Sequence, residues 1–326
     1  MLGTHLAYYL LKKGESVTAL KRTSTDLSAI KNIFAYYENG DNSLFEKIEW
    51  IDGDILDFYI LDDIISKHKQ VYHTAAFVSF HKEDHDKIWN INIHGTENIV
   101  AACIKHKSRL VYTSSIAALG RSEGGVATTE KDYRDSTFKS SVYSESKFLA
   151  EQEVWRGIAE GLDAVMVNPS VIIGPGDWNK SSAQLFKTVA NGLKFYTDGT
   201  NGYIDVRDIA EVMYKLMKSE ITAERFILSA ENVTYKHLFE TIAKELEVSP
   251  PSILANKVLS EISWRVIRVW SAISGSAPLI TKETAKSANS HYNYSSQKII
   301  DTLNYNFISF DDSVKHTAKL YKYANE

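Results

Sequence analysis

The first stretch, "MLGTHLAYYLLKKGESVTALKR" (residues 1–22), reads as a helix followed by a strand. Leu6, Leu10 and Leu11 recur at helical spacing, and Gly14 stands where a C-terminal glycine stops a helix. Val17, Ala19 and Leu20 then form a short apolar run of strand character. A chain that opens on a helix, with Gly3 in its first turn, raises a question. A doubly wound sheet places its first strand centrally and turns from it into the first helix through glycines, whose backbone amides approach a pyrophosphate. Gly3 sits where the third glycine of a G-x-x-G-x-x-G turn belongs. The expectation is an α/β fold, a doubly wound parallel sheet (Rossmann-like) lacking its first strand. Met1 is then an internal methionine of the motif.

The rest of the chain keeps the same rhythm. Strand-like runs at "IEWID" (48–52), "VYHTA" (71–75), "RLVYTSS" (109–115) and "LDAVMVNPS" (162–170) alternate with helical ones. The helical segments run from about Ser24 to Tyr37, over "FYILDDIISKH" (58–68), from Asp86 to His106, and from about Ser141 to Glu160. Short apolar strands separated by helices imply a parallel sheet covered on both faces. After Pro169 the pattern shortens, with glycines at 174, 176, 192, 199 and 202. "VRDIAEVMYKLMKS" (206–219) is an amphipathic helix and "RFILSA" (225–230) a strand. The predicted organisation is a dinucleotide-binding domain of residues 1–168 plus about 202–230, and a smaller, mostly helical substrate lobe of residues 169–201 plus about 231–326.

Composition narrows the function classes. The net charge is −4 with the signs interleaved, which argues against nucleic acid, since phosphate binding needs a basic face. The single cysteine, Cys103, rules out an internal disulfide and fits a reducing, cytoplasmic setting. No long uncharged apolar run exists; the nearest, "ISWRVIRVWSAISG" (262–275), is interrupted by Arg265 and Arg268. It reads as an amphipathic helix, and membrane contact is not expected. The expected partner is a small-molecule substrate, with a homodimer left open.

The chemistry concentrates in "VYTSSIAALG" (111–120), "VYSESKFLAE" (142–151) and "VNPSVIIGPGDW" (167–178). Tyr143 and Lys147 are four apart on a helix and share a face. A phenol near pKa 10 is a poor acid–base group at neutral pH, and a neighbouring ammonium favours its ionised form. Ser115 ends a buried strand, where α/β folds expose ligand-binding groups. Ser114 is the alternative, and the spacing to Gly120 favours Ser115.

Taken together, these stretches resemble the extended short-chain dehydrogenase/reductase (NAD-dependent epimerase/dehydratase) superfamily. They are most similar to its dihydroflavonol-reductase and 3β-hydroxysteroid-dehydrogenase-like branch. The tail "YNYSSQKIIDTLNYNFISFDDSVKHTAKLY" (292–321) resembles that branch's ending. The resemblance implies that Ser115 orients substrate, Tyr143 is the acid–base, and Lys147 tunes Tyr143 and binds the nicotinamide ribose. It places the cofactor against Gly3, Asp54 and Ile55 of "GDILD", Ala75 and Ala76 of "HTAAF", Asn92 of "NINIHGTEN", and Pro169 and Ser170. Asn92 reads equally well as a buried structural hydrogen-bonding group. Lys21 and Arg22 in "ALKRTSTD" (19–26) suit the 2′-phosphate of NADP better than the ribose hydroxyls of NAD. NADP(H) is therefore favoured over NAD(H).

Phe77, Val78, Trp178, Phe195 and Tyr203 are candidates for an apolar substrate pocket, although such residues are more often core. "HKEDH" (81–85) offers His81 and His85 without a third ligand, so no metal is expected. The implied activity is an NADP(H)-dependent reductase or dehydrogenase of a carbonyl or secondary alcohol. A nucleotide-sugar epimerase is the first alternative, and a non-catalytic NADP-binding protein the second. A 4,6-dehydratase would carry an Asp-Glu pair where Ile116 and Ala117 stand.

Overall fold

The computed structural model describes every residue except 80–81, 123–124, 135–139, 256–287 and 326. The amphipathic stretch 262–275 lies outside the described residues, as does His81. Among the described residues no helix is long and apolar enough to cross a membrane.

The large sheet contains β3 (Gln70–His73), β4 (Arg109–Thr113), β5 (Ala164–Pro169) and β9 (Glu224–Leu228), all parallel and in that order. β1 (Thr18–Lys21) and β2 (Glu49–Asp52) form a separate parallel pair. No described strand pairs with the second edge of β1 or of β3. Helix α1 (Leu2–Lys12) spans both pieces. Its Leu2, Leu6 and Leu10 pack with Val111, Val165 and Val167 of the large sheet, while Ala7 and Leu11 pack with Phe34 and Ile48. A hydrogen bond of 2.9 Å between His68 Nε2 and Thr18 Oγ1 also joins the two pieces.

The strand period of two decides the layers. Val111 faces α1 and α8 (Val206–Met217), whereas Leu110 and Tyr112 face α5 (Gly95–His106) and α6 (Val142–Ala159). Helices on both faces of a parallel sheet make the fold doubly wound. The helix ends follow from their caps: Asp57 Oδ1 accepts from Tyr59 and Ile60 N at the start of α3 (Phe58–Ser66), Ser141 Oγ from Ser144 N at α6, and Asp205 Oδ1 from Arg207 N at α8. The helical segment expected over 86–106 is interrupted. α4 (His85–Trp89) is followed by a π-helical turn at Asn90–His94 before α5 begins.

The second lobe has its own sheet, in which β8 (Thr200–Asp205) runs parallel to β6 (Val171–Ile173) and antiparallel to β10 (Glu231–Thr234). Thr200–Asp205 therefore pairs in the small sheet, and the chain rejoins the large one through α8 and β9. Behind the small sheet, Phe186 and Val189 of α7 (Gln184–Ala190), Leu238 and Ile242 of α9 (Tyr235–Leu246), and Phe310 and Val314 form a third apolar cluster.

Candidate functional site

The site lies where β3, β4 and β5 end. β4 delivers Ser114 and Ser115, and strand alternation sends them to opposite sides. Ser114 is buried, and its Oγ donates to Glu151 Oε2 at 2.5 Å. Ser115 Oγ accepts from Ala117 N at 3.1 Å and is hydrogen-bonded to the Tyr143 hydroxyl. Ser114 is thus committed to the interior, and Ser115 meets Tyr143.

Helix α6 carries Tyr143, Lys147 and Glu151 on one face, a turn apart. Lys147 is buried; its Nζ donates to the Tyr112 hydroxyl at 2.8 Å and to the Thr113 carbonyl at 2.9 Å. Burial pulls Lys147 down to about 7, with the Glu151 carboxylate pulling the other way. Burial pushes the Tyr143 phenol up, and the Ser115 hydrogen bond opposes it. The phenol is therefore held protonated at neutral pH, which suits a proton donor. This departs from the lowered phenol that a neighbouring ammonium leads one to expect.

Glu151 anchors a buried network that sequence reasoning missed. Besides Ser114, it accepts from Asn168 Nδ2 at 2.7 Å and from Arg225 Nη1 at 2.8 Å. Asn168 Nδ2 also donates to the Ser115 carbonyl at 3.0 Å, tying the end of β5 to the serine turn. The signal was present: Glu151 follows Lys147 by four residues on the same helical face.

The parallel doubly wound sheet agrees with the comparisons. Residues 1–227 match the NAD dependent epimerase/dehydratase family. The chain belongs to that family. It is 28% identical over 258 residues to "Sterol demethylase protein B" of Methylococcus capsulatus, covering 78% of this chain and 74% of that one. It is 30% identical over 241 residues to "Putative dihydroflavonol 4-reductase" of Synechocystis sp., covering 72% of this chain and 66% of that one. The solved structure of gox2253 superposes with a TM-score of 0.82 at 25% identity, over 99% of this chain and 96% of that one. As a member of this family the chain is an NAD(P)-dependent oxidoreductase, related to the dihydroflavonol-reductase-like branch.

The residues present fit a dinucleotide. An added Cβ at Gly3 would meet Thr74 Oγ1 at 3.0 Å, so the start of α1 packs closely on the turn after β3. Ala75 and Ala76 are exposed on that turn. Ser170 Oγ and Asn168 Oδ1, at the end of β5, are buried and have no protein partner. Pro169 is buried beside them. Asp54 is exposed and caps its own turn by accepting from Leu56 N at 2.9 Å; Ile55 packs against Gly95. Lys21 is paired with Asp52, whereas Arg22 is exposed.

Three candidate positions are engaged within the protein. Asn92 is buried, and its carboxamide is used within the protein. Oδ1 accepts from Phe77 N at 2.7 Å, and Nδ2 donates to Phe77 O at 3.0 Å and to Ser146 Oγ at 2.9 Å. It shapes the turn after β3. Tyr203 lies in the second lobe's apolar cluster, its ring centroid 5.4 Å from that of Phe310, because alternation along β8 turns Gly202 rather than Tyr203 toward Ser170 and Ser229. Trp178 packs on Phe186 and Tyr321 in the same cluster. Phe77 is half-buried and Val78 exposed on the turn after β3, with Lys87 Nζ 4.4 Å from the Phe77 ring centroid. Among the described residues no group of three His, Cys, Asp or Glu side chains gathers as a metal site.

Proposed function

We propose that the chain is an NADP(H)-dependent reductase or dehydrogenase of a small carbonyl compound or secondary alcohol, with Tyr143 as the acid–base group. The observation that carries this is the hydrogen bond between Ser115 and a protonated, partly exposed Tyr143, one helical turn before the buried Lys147. The bound nicotinamide supplies or accepts hydride. Ser115 holds the substrate oxygen, and Tyr143 delivers a proton to the alkoxide as it forms. Lys147 serves the ribose hydroxyls, and the exposed Arg22 takes the 2′-phosphate of NADP. The names of the similar proteins favour a dihydroflavonol-like or sterol-like substrate.

The test is a spectrophotometric screen of dihydroflavonols, sterol ketones and UDP-sugars with NADPH and NADH. One NADPH consumed per ketone reduced supports the reading. Interconversion of sugar epimers with no net cofactor oxidation overturns it in favour of an epimerase. Tyr143→Phe lowers turnover by about 10²–10⁴-fold with cofactor affinity retained. Arg22→Ala weakens NADPH by about ten- to a hundredfold and NADH little, since a hydrogen bond to a charged group is worth about 1.5–3 kcal/mol. Full activity in Tyr143→Phe removes the catalytic assignment, and equal weakening of both cofactors removes that of Arg22.

A further inference from the structure

Behind Lys147 lies a row of buried polar groups that the proposed chemistry does not use. The Tyr112 hydroxyl accepts from Lys147 Nζ at 2.8 Å, and the Thr96 side chain nearby opposes the effect of burial on the phenol. Thr96 Oγ1 donates to the Asn92 carbonyl at 2.7 Å and lies 2.9 Å from His73 Nε2. A threonine hydroxyl has one proton and two lone pairs. With its proton committed to Asn92, Thr96 Oγ1 accepts from His73 Nε2–H. These bonds therefore have a direction: ammonium to phenol, and His73 through Thr96 to the Asn92 carbonyl. That carbonyl belongs to the π-helical turn Asn90–His94, and such wide turns recur at functional sites. Tyr112, Thr96, His73, Asn92 and Lys147 are all buried, so water does not compete for these bonds.

Two of the three ammonium protons are fixed in this way, on Tyr112 and on the Thr113 carbonyl, and their directions set where the third points. We propose that Tyr112, with Thr96 beside it, is a positioning residue for Lys147: it fixes the rotation of the ammonium and favours its charged form. This rests on the reading above that Lys147 serves the cofactor. The ionisable groups facing Lys147 come from several elements: Tyr143 and Glu151 on α6, Tyr112 on β4, His73 on β3 and, through Glu151, Arg225 on β9. Glu151 keeps Arg225, Ser114 and Asn168 whatever stands at 112. Removing the Tyr112 hydroxyl therefore takes one acceptor from the ammonium and leaves the neighbouring carboxylate in place.

The test is the pH dependence of NADPH and NADH binding, read by cofactor fluorescence between pH 6 and 9.5 for the wild type, Tyr112→Phe, Thr96→Val, Thr96→Ser and Lys147→Ala. In the wild type, affinity falls on the alkaline side as Lys147 loses its proton. In Tyr112→Phe that fall comes at lower pH by about one unit, the scale set by one hydrogen bond to a charged group. Thr96→Val moves it the same way by less, and Thr96→Ser restores it. A merely structural role would lower affinity equally at every pH. If circular dichroism shows Tyr112→Phe unfolded, the Thr96→Val and Thr96→Ser pair decides. Loss of binding in Lys147→Ala with an unshifted profile in folded Tyr112→Phe overturns this inference and leaves the reading of Lys147 standing. Binding indifferent to Lys147→Ala overturns that reading, and this inference with it.

Discussion

Lys147 is a stability cost as well as a functional group, and Lys147→Met measures it. Burial moves the lysine from 10.5 to about 7. The unfolded chain therefore holds more protons than the folded one between those values, and wild-type stability climbs as pH rises through that window. At about 1.36 kcal/mol per pH unit, the ammonium makes the folded state about 4 kcal/mol less stable at pH 7 than a neutral group would, and about 1 kcal/mol less stable at pH 10. Methionine fills a similar volume without charge. It leaves the Tyr112 hydroxyl and the Thr113 carbonyl each short of one donor, at about 1 kcal/mol apiece. Glu151 retains Arg225 as its cation. Urea unfolding of both proteins should show Lys147→Met more stable than wild type by about 2 kcal/mol at pH 7 and less stable by about 1 kcal/mol at pH 10. Groups titrating elsewhere cancel in the difference between the two proteins. A variant less stable at pH 7, or a difference that does not change with pH, refutes the idea that the buried ammonium is held at a cost.

Two further outcomes concern the framework. Arg225→Met strands the buried Glu151 carboxylate without its cation and should destabilise the protein by about 3–5 kcal/mol in urea unfolding, while Arg225→Met with Glu151→Gln recovers most of the loss; equal instability of the single and double variants would show that the charge is irrelevant. His5, His73 and His316 are held down to about 4, about 3 and about 4 by burial, so the unfolded chain takes up more protons below about 6.5 and each removes about 2 kcal/mol of stability between pH 7.5 and 5. Asp208, pushed up to about 7 by burial, gains its proton first in the folded state and returns about 2–3 kcal/mol over the same window. Calorimetry should therefore show a loss of about 3–4 kcal/mol on acidification in the wild type and about 6 kcal/mol in Asp208→Asn; stability that rises on acidification in both would contradict the buried-histidine assignment.

How much of this was legible in the sequence depends on the range of each interaction. Tyr143 and Lys147 were readable because a helix repeats locally, and Ser115 because a strand end can be located within a residue or two. The alternation that separates Ser114 from Ser115, and Gly202 from Tyr203, was readable in principle, but it needs the register of the neighbouring layer to say which side is the site. Tyr203 and Trp178 read as apolar pocket residues or as core, and packing on Phe310 and Tyr321 places both in the core. Tyr112 reads from sequence as one more apolar position of β4. Only the crossing of α5 and α6 over that strand brings Thr96 and Lys147 to its hydroxyl.

The three rungs of α6 show why chemistry and framework are hard to separate here. Tyr143 at the first rung is partly exposed and bonded to Ser115. Lys147 at the second is sealed from water, yet its proton is in balance near neutrality. Glu151 at the third is buried and fully engaged by Arg225, Asn168 and Ser114. The charge of Glu151 opposes the effect of burial on Lys147, and Asn168, which Glu151 holds, in turn holds the Ser115 carbonyl. A substitution at the deepest rung therefore reaches the outermost one by two routes, through the ammonium and through the serine turn. Glu151→Gln keeps the volume and most of the hydrogen bonds but removes the charge, so it perturbs the first route more than the second. The two routes are separable in that variant because only the first depends on the protonation of Lys147.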